Sequence, residues 1–247
     1  MILILFFIIS LLPSFFLYLW LKNVKKDDGT YKKICTSAFI KGLFLSTIGA
    51  FLFSSLLYII EVILKASGLM EPYLSIYHNF ILLGFSEEII KFLVFKNVIK
   101  KNRYNYSPSD LISLMMIVAL GFQLLESCFY GVGANIPTML IRGLTIMHGG
   151  YGFLIGYFLV KGIQKEKKGY AFLAIFIPFI LHGAYDFFLS TYIKEVNSDL
   201  GIISLLLALI SIVIMIWAIA YINKLKKNEE LNKPLNLENT GFKYKGK

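Results

Sequence analysis

The chain has 247 residues, 57% of them hydrophobic, and a formal net charge of +10. A soluble domain carries roughly 45–50% apolar residues, so this composition excludes one water-soluble core and predicts a protein of the membrane. The basic excess does not mark a nucleic-acid surface, because its lysines and arginines fall in short clusters between apolar runs, where they encode topology.

The apolar runs predict an all-α polytopic transmembrane helical bundle of about seven helices, each near the ~20 residues that cross a bilayer. The first, 2–21, lacks the basic n-region and cleavage site of a signal peptide and reads as a retained span. The second, 38–65, has apolar character from Ile34 onward. It is too long for a perpendicular crossing, so it tilts or lays its first turns, up to Lys41, along the interface. Spans three to seven follow at 76–95, 111–132, 140–160, 170–192 and 200–222. Residues 1–222 read as a single transmembrane domain, and 223–247 as a basic cytoplasmic tail disordered towards its end. Cys35 and Cys128 fit no metal-binding or redox spacing and read as buried free thiols.

Loop charge sets the expected orientation. Segments 22–33, 96–110, 161–169 and the tail hold twenty lysines and arginines, whereas loops 67–75, 134–139 and 194–199 hold only Lys194. The positive-inside rule then puts the N-terminus outside and the C-terminus in the cytoplasm.

Ionisable groups inside a hydrocarbon layer are costly and mark function by default. Lys41, Glu61, Lys65 and Arg142 sit near span ends and can reach the headgroups; His78, at the outer end of span three, reads as interfacial. Glu87, Glu88 and Lys91 in span three cannot escape, nor can Glu126 in span four, His148 in span five, or His182 and Asp186 in span six. At ~1.5 Å of rise per residue, both histidines lie ~18 Å from the cytoplasmic ends, the paired glutamates roughly 10–12 Å and Glu126 ~22 Å. Four antiparallel helices therefore bring polar groups towards one level.

Each group also has a structural reading. One of Glu87 and Glu88 forms an intrahelical pair with Lys91; the other, turned ~100° away, needs a separate partner or a proton. His182 and Asp186, at i,i+4, are a helix-surface pair, or the carboxylate orients the imidazole. Gly149, Gly152 and Gly156 read as a face for close helix packing, and Pro178 loosens the helix one turn before His182.

Four segments together resemble the PrsW family of intramembrane proteases. They are GFSEEIIKF (84–92), ALGFQLLESCFYG (119–131), IRGLTIMHGGYGFLIGYF (141–158) and PFILHGAYDFF (178–188). The first is similar to the family's EExxK motif and the second to its GFxxxE motif. The third is similar to its Arg…His…Gly helix and the fourth to LHGxYDF. Two departures are Ser127, where the family commonly has Asn after the glutamate, and a shorter stretch between Arg142 and His148.

The resemblance implies an enzyme of the cell membrane that hydrolyses a peptide bond in a membrane-anchored protein, such as an anti-sigma factor. It also implies kinship with CAAX-processing and bacteriocin-immunity proteases. Two mechanisms stay open at this point. In one, Glu126 (or Glu87), His148 and His182 hold zinc, while Glu87, Glu88, Lys91 and Asp186 serve the chemistry. In the other, a glutamate and His148 activate water without metal, and His182 and Asp186 stabilise the oxyanion. A proton-coupled transporter or a scaffold is the non-enzymatic alternative, but no inverted repeat supports it.

Overall fold

The computed structural model describes residues 2–131, 145–195 and 198–237. Its described residues are helical or in short connections. The helices are α1 (Ile2–Lys22), α2 (Gly29–Ala66), α3 (73–101), α4 (Pro108–Gly131), α5 (Met147–Lys165), α6 (Gly169–Glu195) and α7 (Ser198–Lys227). Of these, α2, α4, α6 and α7 contain stretches long and apolar enough to cross a membrane by composition alone. The helices α3 and α5 are apolar but carry the charged and glycine-rich motifs, which lowers their hydropathy.

The bundle is organised around α4. Its residues 111–122 are buried throughout, and it packs against α5, α1 and α2. In contrast, α2 and α7 turn Phe51, Ile63, Leu205 and Val213 outward. That inversion, apolar outside and polar groups inside, is what lipid as solvent requires.

Small residues set the crossings that matter for the site. A Cβ on Gly152 would meet Ala119 and the Met115–Met116 backbone, and one on Gly156 would meet Ile112, so these glycines let α5 lie close on α4. On the other side, Gly84 of α3 faces the backbone of Gly183 and Phe179 in α6. The glycine face expected for span five is therefore a packing face.

Several boundaries differ from the sequence reading. The second run is one rod of 38 residues, ~57 Å long and well beyond a bilayer core. Its turns widen to π type at Gly42–Ser46, and α3 does the same at Tyr77–Phe85, directly before the paired glutamates. Span five was expected to run unbroken from 140. Instead Ile146 takes a left-handed conformation (φ 45°) and the helix starts at Met147. A β-branched residue held there is strained, and it puts His148 in the first turn of α5. Residues 132–144, with Arg142 and the start of that span, lie outside the described residues. Pro178 sits inside α6 without ending it. The last helix, α7, runs past its expected end to Lys227, Asn232 accepts the Ser109 N–H (2.9 Å), and Leu235 N–H donates to Tyr106 O (2.9 Å), while the end of the tail, 238–247, lies outside the described residues. Cys35 is buried, as expected, but Cys128 is only half-buried, and both are free.

Candidate active site

Where α3, α4, α5 and α6 meet, the sequence-selected ionisable residues form one connected cluster. Its centre is Glu88, which is fully buried together with Lys91. The Lys91 ammonium donates to Glu88 Oε1 (2.7 Å) and to His148 Nδ1 (2.8 Å), and it stands 4.4 Å from the centre of the Phe122 ring. Because an ammonium can only donate, His148 Nδ1 carries the lone pair and Nε2 the proton. That proton goes to Glu126 Oε2, 2.6 Å away.

The second histidine closes the cluster from α6. His182 Nδ1 lies 3.0 Å from Glu88 Oε1, and its Nε2 lies 3.1 Å from Asp186 Oδ2 and 3.8 Å from Glu87 Oε2. A ring with a carboxylate at each nitrogen either holds two protons or gives one nitrogen to a cation. The two imidazoles are 5.0 Å apart and edge-on, and Tyr151 stacks on His182.

The two adjacent glutamates are not equivalent. Lys91 bonds Glu88 Oε1, while Glu87 Oε2 is 3.7 Å from the ammonium; each glutamate also has a buried Oε2 without a hydrogen-bond partner. Lys91 follows Glu88 by three residues and Glu87 by four. This divides the pair as the ~100° separation of adjacent helical residues requires.

Glu87, His148 and His182 each offer a ligand atom, and these atoms lie within 4.8 Å of one another. The sequence reading left the carboxylate beside the two histidines open between Glu126 and Glu87. Glu87 belongs to this converging group, and Glu126 Oε2 lies 2.6 Å from His148 Nε2, where a carboxylate can orient the imidazole.

The cluster is not sealed. A cavity of about 570 Å³ between α2, α3 and α4 is lined by Glu87 and Glu126 on one side, and by Thr47, Ala50 and Phe51 of α2 on the other. Phe51 and Phe129, which also line it, are mostly exposed on the apolar surface. The cavity thus connects the lipid-facing surface to two carboxylates.

Phe122 and Tyr151 were not singled out from sequence, although both contact the cluster. Phe122 lies four residues before Glu126 and Tyr151 three after His148, so helical spacing alone puts each on the face of a suspect residue. The reading of His78 as interfacial has a structural counterpart: it is half-exposed and its Nδ1 lies 2.9 Å from Glu61 Oε2.

A multi-pass helical bundle with glutamates and histidines buried at one crossing, and a cavity leading to them from the apolar surface, has the build of a membrane-embedded hydrolase. Comparison with known proteins identifies which one. The profile of the PrsW family intramembrane metalloproteases matches residues 32–220, and the chain belongs to that family. Protease PrsW of Shouchella clausii is 34% identical over 154 residues, which are 60% of this chain and 66% of that protein, just under two thirds of it. Protease PrsW of Clostridioides difficile is 27% identical over 237 residues, 90% of each chain. Protease PrsW of Halalkalibacterium halodurans is 29% identical over 194 residues, 74% of this chain and 83% of its own. No solved structure matches the chain.

Proposed function

We propose that the protein is an intramembrane endopeptidase that cleaves a membrane-anchored protein, with an anti-sigma factor as the expected substrate class, and that Glu87, His148 and His182 hold a zinc ion. Surplus negative charge carries this reading. Among the described residues four carboxylates, those of Glu87, Glu88, Glu126 and Asp186, share the cluster with one ammonium, and Glu87 and Glu88 each keep a buried oxygen without a hydrogen bond. Buried carboxylates in such excess require protons or a further cation. One carboxylate with two imidazoles is also a donor set that suits catalytic zinc. When bound, the ion supplies Lewis acidity, which polarises the scissile carbonyl and acidifies water.

The side chains divide the remaining work. Glu126 lines the cavity and is hydrogen-bonded to His148, so it both fixes the ring and stands where water arrives; it is the general base in this scheme. Glu88 is enclosed by Lys91 and His182. Its task is to position them, which leaves Glu126 as the base. Asp186 holds the His182 ring through Nε2, the nitrogen that also faces Glu87. The apolar walls of the cavity admit a membrane-embedded segment and limit water to what the chemistry consumes.

A second reading rests on Lys91, whose ammonium already stands among the same donors. In it, Glu126 and His148 activate water without a metal. Elemental analysis of protein purified in mild detergent separates the two. Stoichiometric zinc in the wild type, lost in His182→Ala, supports the metal reading. Cleavage that persists in protein stripped of metal would leave the Glu126–His148 pair as the mechanism.

The orientation proposed is the N-terminus outside and the lysine-rich loops in the cytoplasm, on the charge asymmetry of the loops. With Cys35 and Cys128 replaced, Ser67→Cys should react with an impermeant thiol reagent on intact cells and Asn105→Cys should not. The reverse pattern inverts the topology.

A further inference from the structure

A second cavity, of about 610 Å³, lies along the first turns of α2 beside the end of α1. It is lined by Lys22, Lys32, Lys33, Thr36, Ser37, Ile40 and Lys41, so four cations and no carboxylate surround it. The α2 residues come in adjacent pairs one turn apart (32 and 33, 36 and 37, 40 and 41), the spacing that keeps them on one helix face. Lys22 closes the cavity from α1. Lys22, Lys32 and Lys41 are half-buried, and the lining is mostly apolar, so the lysine stems wall the space and carry their amines to its rim.

The position along α2 identifies the solvent. From Lys41 to Lys65 the helix rises ~36 Å, slightly more than a hydrocarbon core, which sets Lys41 at headgroup level. Above it on α2, Ile40, Phe44, Leu45 and Ile48 are exposed apolar residues. A cationic cavity continued by an apolar stripe matches a ligand with an anionic head and acyl chains.

We propose that this cavity binds the phosphate of an anionic phospholipid headgroup, with the acyl chains running along the exposed face of α2. The site is independent of the proteolytic reading. It anchors the junction of α1 and α2, the helix that walls the cavity leading to Glu87 and Glu126.

The test uses full-length protein in a neutral detergent and follows thermal unfolding and lipid retention by native mass spectrometry. Phosphatidylglycerol should raise the unfolding midpoint and remain bound, while phosphatidylcholine and inorganic phosphate at equal concentration should do neither. Lys33→Gln with Lys41→Gln should weaken phosphatidylglycerol binding at least about tenfold. Lys167→Gln with Lys168→Gln, an equal charge change on the α5–α6 connection, should leave it unchanged. Equal losses in both double variants would reduce the effect to net charge and overturn the site. A full response to inorganic phosphate would overturn the lipid as its ligand.

Discussion

Among the described residues two ionic clusters, one partly exposed and one buried, are built differently. One lies between the lysine-rich helix ends. Lys25 donates to Asp110 Oδ2 (2.7 Å) and to Tyr104 Oη (2.9 Å), and Tyr104 in turn donates to Asp28 Oδ2 (2.6 Å). Asp28 also caps α2 by accepting the Tyr31 N–H, and Asp110 accepts the Ser107 N–H, so both carboxylates tie down backbone at helix starts. The other is the Glu87–Glu88–Lys91–Glu126–His148–His182–Asp186 cluster. It joins four helices through side-chain contacts. Both clusters leave buried carboxylate oxygens without a hydrogen bond, at Glu87 and Glu88 here and at Asp110 there, so the difference lies in what the carboxylates meet. Charges that satisfy backbone hold a fold together, whereas charges that meet other side chains at the edge of a cavity are available for chemistry.

The sharpest way to break this contrast is to remove the histidines. His148→Ala and His182→Ala should each lower cleavage of a co-expressed single-pass anti-sigma factor by at least about a thousandfold, with bound zinc lost in parallel. Protein abundance should change little. If abundance collapses and cleavage per folded molecule survives, the central cluster is structural after all.

Lys91→Met tests the same cluster from its cation. It strands Glu88 in a fully buried position, a change worth about 3–5 kcal/mol of stability. The loss should be partly reversed by added zinc if a cation can replace the ammonium. A melting temperature unaffected by the substitution would mean that Glu88 is held protonated.

At the other cluster, Asp110→Asn should cost about 1–3 kcal/mol, because the buried carboxylate meets both Lys25 and a backbone N–H. Zinc content per folded molecule should not move; a proportional loss of metal would join the two clusters into one functional unit.

The smallest effect belongs to Asp28, whose cap is worth about 1 kcal/mol. The Tyr104 hydroxyl, followed by the Tyr31 N–H, holds the Asp28 carboxyl below its ordinary value. A lowered value stabilises the fold at pH above the unfolded value of about 4, and that contribution fades as pH falls through the folded one. The difference in melting temperature between wild type and Asp28→Ala should therefore shrink in acid. A difference that grows in acid would contradict the assignment.

The apolar runs and the residues that interrupt them were legible directly, because lipid exposes every misplaced charge. So was the rule that one glutamate would pair with Lys91, since helical spacing enforces it. Which glutamate it was depended on side-chain geometry, and Glu88 won through a bond that also engages His182 from another helix. Asp110 had been passed over as the last residue of a loop. Only the fold brings Lys25, 85 positions away in the chain, against it.

Sequence by itself therefore determined the solvent, the helical class and the identity of the residues that must be accounted for inside the membrane. Periodicity and hydropathy are local properties, and they suffice for that. Tertiary structure decided how those residues share their bonds: Glu126 on the far nitrogen of His148, Glu87 with an unbonded oxygen, and a cavity that reaches both. It also decided that α5 starts at Met147, behind the left-handed Ile146. Such outcomes depend on crossings set by glycines such as Gly84 and Gly152, whose meaning appears only when a second helix is laid against them.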